Sequence, residues 1–267
     1  MLSQYKLTHK FQDPDTRDYV HKTEKHPTNN ALELTTIIKK GIATKQVVKA
    51  SPTTFTLKNL PPILNQGPLG TCVAHAFSYA VSQQTKQFIN LSRLHMYALC
   101  RILDNTPLNQ DDGTTVRSAC QAIRSYGVCR ENVYPYILAN VEYLPPLAAF
   151  NNSKKFQKFT YFFINQDLAS LKNALQRYNS PIIFGILLYK SFMDATNGII
   201  PMPKVATETA LGGHCVSIIG YNDVSQRFTC ANSWSARWGQ NGYFTIPYAY
   251  VLNPTLAADF CSTTFIF

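Results

Sequence analysis

Apolar spacing changes period half-way along this chain, and that change constrains its fold more than any other feature. In the first half the spacing is helical. It predicts helices over about Cys72–Phe88, with Val73, Ala76, Phe77, Ala80 and Val81 on one face, over Leu91–Leu103, and over Thr114–Tyr126, where Gly127 follows as a C-cap. In the second half short apolar or alternating segments stand between Gly, Asn and Asp turns. These predict strands at Phe159–Ile164, Pro181–Tyr189, His214–Tyr221, Phe228–Ser233, Tyr243–Pro247 and Phe260–Phe267, with one helix over Asp167–Tyr178 capped by Asp167. Helices first and antiparallel strands second imply an α+β architecture: a helical lobe of about 62–145, a β lobe of about 146–267, and a cleft between them. Residues 1–51 have few apolar anchors and read as an N-terminal extension, with a turn at Asp13-Pro14-Asp15 and one short amphipathic helix over Leu32–Ile42.

Composition excludes several classes. Of 267 residues, 45% are hydrophobic and 15% charged, which is globular rather than disordered. The longest apolar run, Pro181–Tyr189, falls far short of the roughly 20 residues of a spanning helix. The N-terminus has no apolar core of a secretory signal. The net charge of +10 is spread without a block of five or six like charges, so no nucleic-acid partner is expected. The seven cysteines, at 72, 100, 120, 129, 215, 230 and 261, are odd in number and form no CxxC pair. That pattern predicts reduced thiols in an intracellular compartment, cytoplasm or virion, and neither a metal site nor a cofactor. A monomer is expected.

The chemistry concentrates at Gln66-Gly67-Pro68-Leu69-Gly70-Thr71-Cys72, directly before the first helix. A thiol at a helix mouth faces free N–H groups and a partial positive charge, which favour the thiolate. Gln66 carries an NH₂ that can serve an oxyanion. A thiol nucleophile needs a base and a group that orients the base. His214 follows two glycines and opens an apolar run, which places it at the edge of a buried strand, and Asn232 offers a carboxamide oxygen to one imidazole nitrogen, leaving the other for the thiol. Trp234 stands ready to shield that bond. His75 is read as packing or solvent-facing, Asp112 as a turn carboxylate, and the other cysteines as small core residues.

These segments resemble the papain-like (family C1) cysteine peptidases. Gln66 and Cys72 match that family's oxyanion glutamine and nucleophile, and Asn232-Ser233-Trp234 with Trp238-Gly239-Gln240-Asn241-Gly242-Tyr243 resembles its Asn-Ser-Trp segment. The resemblance runs from about Pro52 to Phe267. It departs at Leu69, where secreted members carry a half-cystine, at Val73 for a tryptophan and at Ser235 for a glycine, and so points to the compact prokaryotic and large-virus branch. It implies a papain-like fold and hydrolysis of peptides or proteins through a Cys72 thioester, with His214 as base and acid, Asn232 as its orienter and Gln66 as oxyanion donor. It further implies substrate contacts at Gly70, Gly113 (on the acyl side), Gly213 and Trp234. The pocket for the second residue before the scissile bond falls near Thr115, Leu211 and the C-terminal strand. Two other classes stay open: a non-catalytic peptide-binding or structural protein on the same scaffold, and an acyl or peptidyl transferase. Residues 1–51 are either a pro-like segment that blocks the cleft or a strap packed permanently on the lobes.

Overall fold

The computed structural model describes residues 5–13, 15, 20–21, 52–85 and 88–265. The expected helix at Leu32–Ile42 lies outside these residues, as does Pro14 of the expected turn. Helix α1, Cys72–Gln84, is buried on nearly every side, as a helix enclosed by its neighbours should be. It ends four residues before the predicted Phe88. Thr85 turns extended there, and its hydroxyl both donates to Ser82 O and accepts from Ile89 N, closing a turn instead of another helical repeat. Helix α2, Arg93–Leu103, starts where Ser92 accepts from His95 N, two residues after the spacing alone suggests. Helix α3, Val116–Tyr126, is capped by Thr115 and stops at Gly127, whose φ of 70° suits a residue without Cβ. Helix α4, Leu147–Ser153, leads to the sheet, and α5, Leu168–Tyr178, carries the expected Asp167 cap.

The sheet has strand order β1-β3-β8-β4-β5-β6-β7, with β2 paired to β5. Its strands are β1 (Val20–His21), β2 (Thr54–Thr56), β3 (Phe159–Ile164), β4 (Ile182–Tyr189), β5 (Ala210–Asn222), β6 (Arg227–Ala231), β7 (Tyr243–Pro247) and β8 (Ala257–Phe265). The pairings are antiparallel except β1 with β3. Along β3 the side chains alternate between two cores. Phe159, Tyr161 and Phe163 join α1, α2 and α3, while Ile164 joins the core of the β lobe. Strand β4 is buried on both faces, which explains its unbroken apolar run. Strand β5 begins four residues earlier than predicted because Gly212 and Gly213 pair with Leu188 and Leu187 of β4. His214 therefore sits inside a strand, opposite Ile186, rather than at the edge expected from sequence. All seven cysteines are buried free thiols, and no helix of the described residues is long and apolar enough to cross a membrane.

Candidate active site

The loop from Gln66 to Cys72 is held from behind by buried polar groups. Tyr136 Oη donates to Gln66 O at 2.8 Å and lies 2.6 Å from Thr71 Oγ1. His75 Nδ1 contacts Thr71 O at 2.9 Å, and its Nε2 lies 3.2 Å from Arg93 Nη1. Arg93 is in turn paired with Glu131 at 2.6 Å. Burial and the Arg93 charge push the His75 pKa down to about 3, so this imidazole stays neutral; it packs within the core and does not face solvent. Thr71 makes no side-chain cap to α1, and the first turn holds no acidic residue. The helix-mouth N–H groups are thus left to the Cys72 sulfur.

Gln66 is aimed. Ser233 Oγ donates to Gln66 Oε1 at 2.6 Å, and Gln66 N donates to Ser233 O at 2.8 Å. With its oxygen fixed, the amide turns its NH₂ into the cleft. Opposite, His214 Nε2 lies 2.8 Å from Asn232 Oδ1. His214 Nδ1 is buried and has no hydrogen-bond partner among the described residues, which is the nitrogen a thiol requires. Trp234 stacks on the imidazole at 4.7 Å and is itself fully buried, covering the His–Asn bond as its position in the sequence suggested.

The N-terminal segment 5–13 fills this cleft. Tyr5 stacks on Trp234 at 4.8 Å and donates to Trp234 O. Lys6 O accepts from Gln66 Nε2 at 3.2 Å, and Lys6 Nζ pairs with Asp111 at 3.1 Å. The Thr8 backbone hydrogen-bonds to the Cys72 sulfur. His9 N donates to Gly213 O at 3.0 Å, and Lys10 N to Thr114 O at 3.2 Å. A Cβ at Gly70, Gly113 or Gly213 would overlap Thr8 or His9, so these three glycines admit a chain at close range. The Gly113 N–H donates inward to Tyr97 Oη at 2.9 Å and is not turned to the cleft. Segment 5–13 thus touches Gln66, Cys72, Gly70, Gly113, Gly213 and Trp234, and His214 and Asn232 lie beneath Trp234.

This burial reverses the electrostatics expected of a helix-mouth thiol. Burial pushes the Cys72 thiol up to about 11, against hydrogen bonds from the Cys215, Val73 and Thr8 backbones that pull it down. Burial also lowers His214 to about 4, with Asn232 opposing the shift and His9 adding to it. In this closed form the pair is thiol and neutral imidazole, not an ion pair.

Sequence reasoning missed Asp111, Tyr97, Ser233 and Asp259. Asp111 accepts from Gly70 N at 3.0 Å and from Tyr97 Oη at 2.7 Å, fixing the loop before Cys72. Its neighbour Asp112 drew attention instead, and nothing in Gln110-Asp111-Asp112-Gly113 distinguishes the two carboxylates before folding. Ser233 lay in plain view within Asn232-Ser233-Trp234, but its role depends on Gln66, far away in the chain.

The model of the papain family of cysteine proteases matches residues 52–257. An uncharacterized peptidase C1-like protein of Acanthamoeba polyphaga mimivirus is 35% identical over 213 residues, covering 74% of this chain and 68% of that one. Mouse pro-cathepsin H is 24% identical over 193 residues, and the match spans 56% of its length. Among solved structures, xylellain, a cysteine protease from Xylella fastidiosa, superposes with a TM-score of 0.83 at 26% identity, over 98% of this chain and 96% of its own.

Proposed function

The chain belongs to the papain family of cysteine proteases, and from that membership we propose that Cys72 is its nucleophile and that residues 5–13 hold it shut. It is a cysteine-type peptidase with the papain-like fold. We assign residues 52–267 to the peptidase unit, with lobes at about 62–145 and 146–267, and residues 1–51 to an N-terminal extension, of which 5–13 cover the cleft.

In the open cleft His214 Nδ1 takes the thiol proton. The sulfur attacks a substrate carbonyl, whose oxygen moves onto Gln66 Nε2 and the Cys72 N–H. His214 returns the proton to the leaving amine, and water, deprotonated by the same imidazole, cleaves the thioester. Asn232 Oδ1 keeps the imidazole turned, and Trp234 excludes water from that bond. Gly70, Gly113 and Gly213 make space for the substrate chain, and Trp234 forms the far wall.

Closure rests on one observation: segment 5–13 lies along the cleft over Gln66 and the glycines at 70, 113 and 213. The family resemblance implies a substrate's acyl side at Gly113, so a substrate chain would run from Gly113 towards Trp234. The segment runs from Trp234, at Tyr5, to Thr114, at Lys10. Lys6 O occupies Gln66 Nε2, yet its peptide is presented in reverse, so the amine that attack on it would expel lies on the wrong side for His214. The segment is an occupant, not a substrate.

Thr8 offers the test. Its hydroxyl is buried against Gly70 without a partner among the described residues, so a larger side chain does not fit. The full-length Thr8→Arg chain should label at Cys72 with an epoxysuccinyl inhibitor at least about tenfold faster than the parent, which corresponds to roughly 1.4 kcal/mol. Labelling is read by mass spectrometry, with Cys72→Ala as the blank. Equal labelling of parent and variant would sink closure, and an unlabelled Cys72 in both would sink the nucleophile assignment.

A further inference from the structure

A side-chain pocket of the cleft has a carboxylate at its floor. His9 of the covering segment drives its imidazole into it, with the side chain wholly buried, and Nε2 stops 3.1 Å from Asp259 Oδ2. The pocket exists because β4 and β5 each carry a glycine beside it. A Cβ at Gly185 would overlap the imidazole, and one at Gly213 would overlap the His9 backbone. Gly185 interrupts a strand of otherwise large apolar residues, Ile182-Ile183-Phe184-Gly185-Ile186-Leu187-Leu188, where glycine weakens the strand unless another chain approaches closely.

Asp259 is placed there by a distortion of β8. Its φ is 63°, a left-handed conformation inside a strand, and the β4–β8 register shifts between Ile183 and Gly185. Such an irregularity re-aims a side chain at a local cost, and these distortions concentrate at functional positions. The carboxylate is 5% exposed on its side chain, with the His9 imidazole as its hydrogen-bond partner. When the segment leaves, that carboxylate stands at the bottom of a narrow pocket without its partner. A buried carboxylate lacking a counter-charge is unfavourable, so the pocket gains most from an occupant that brings a cation.

We propose that Asp259 makes this peptidase select substrates with a basic side chain at the second position before the scissile bond. The inference rests on the peptidase reading above and names its specificity. The pocket lies beyond Gly113 on the acyl side and is walled by the C-terminal strand, where the family resemblance puts that position. His9 then serves as a built-in mimic of the preferred side chain, arriving on a chain of opposite direction.

The test uses the full-length Thr8→Arg chain and three blocked fluorogenic peptides that differ only at that position: Arg, Lys or Leu. The better basic peptide should exceed the Leu peptide in kcat/KM by at least about tenfold. Asp259→Asn is the informative variant, because asparagine tolerates the left-handed backbone and removes only the charge. In the Thr8→Arg/Asp259→Asn chain the ratio should fall to within about threefold of one. A Leu preference in the Thr8→Arg chain overturns the inference even if the double variant fails to fold, as does a ratio that Asp259→Asn leaves unmoved. Cys72 labelled by the epoxysuccinyl inhibitor but selecting Leu defeats the specificity alone. No hydrolysis of any peptide together with no labelling defeats the peptidase reading and the specificity with it.

Discussion

Cys72 and His214 illustrate how one pair of side chains changes character with its cover. A helix mouth lowers a thiol pKa, yet burial wins here, and Cys72 is pushed up to about 11 while His214 falls to about 4. Both shifts favour the uncharged forms, so the closed state is sensitive to protons at both ends of the scale. An imidazole released to water returns towards its ordinary value of about 6.5. The open form therefore binds more protons than the closed one as pH falls from about 6.5 to about 4, and acid favours opening. For the thiol the sign is opposite. The closed form holds its proton up to about 11, so alkali past the ordinary thiol range also favours opening. Hydrogen exchange of the 5–13 segment in the Cys72→Ala/His9→Gln chain, where the segment brings no imidazole of its own to Asp259, should show less protection at pH 5 than at pH 7.5 once corrected for intrinsic rates. Protection that is flat or rises towards pH 5 would mean that the cover does not control the His214 proton.

At the scale of elements, strand β4 carries the sharpest prediction. Gly185 faces His9, and alanine there overlaps the imidazole. If Gly185 were merely a weak point in the strand, Gly185→Ala would stabilise the protein by about 0.5–1 kcal/mol and leave Cys72 as slow as before. If the glycine is there to admit His9, the variant should label at Cys72 at least about tenfold faster in the full-length chain. Epoxysuccinyl labelling beside a thermal melt separates the two. The elements also show what was legible in the sequence. Local signals carry these elements: β3 and β7 fall on their predicted limits, and Asp167 and Gly127 cap their helices as expected, while Thr115, expected inside its helix, caps it instead. Gln66, Cys72, His214 and Asn232 stood out as candidates because each sits in a short motif with a chemical reason for its residue type. What failed was set by partners distant in the chain. Helix α1 stops early through a turn at Thr85, and its last residue, Gln84, is tied by its amide to Thr263 and Phe265 of β8. Strand β5 starts early because β4 pairs with Gly212 and Gly213. Asp259 owes its aim to a register shift that no local pattern announces.

For the whole molecule the question is whether the segment closes its own cleft and how firmly. Its contacts are many and most are individually modest: backbone bonds to Gly213 and Thr114, one stacked ring, and a Lys6–Asp111 pair whose lysine is 44% exposed, the His9–Asp259 contact being the buried one. Such a set binds poorly as a free peptide. Tethering raises its effective concentration to about the millimolar range, which converts weak contacts into a closed state without any new interaction. Two consequences follow for measurement. Inhibition within the full-length chain is unimolecular, so specific activity should not change over about a hundredfold dilution, whereas closure by a neighbouring copy would relax on dilution. A synthetic peptide of residues 5–13 should inhibit the Thr8→Arg chain only at concentrations of about a hundred micromolar or more. It should also be recovered intact, because it lies in the cleft against the direction of catalysis. Cleavage of that peptide near its Lys6–Leu7 bond would show that it binds as a substrate does, and the reversed path would then be a property of the tether alone.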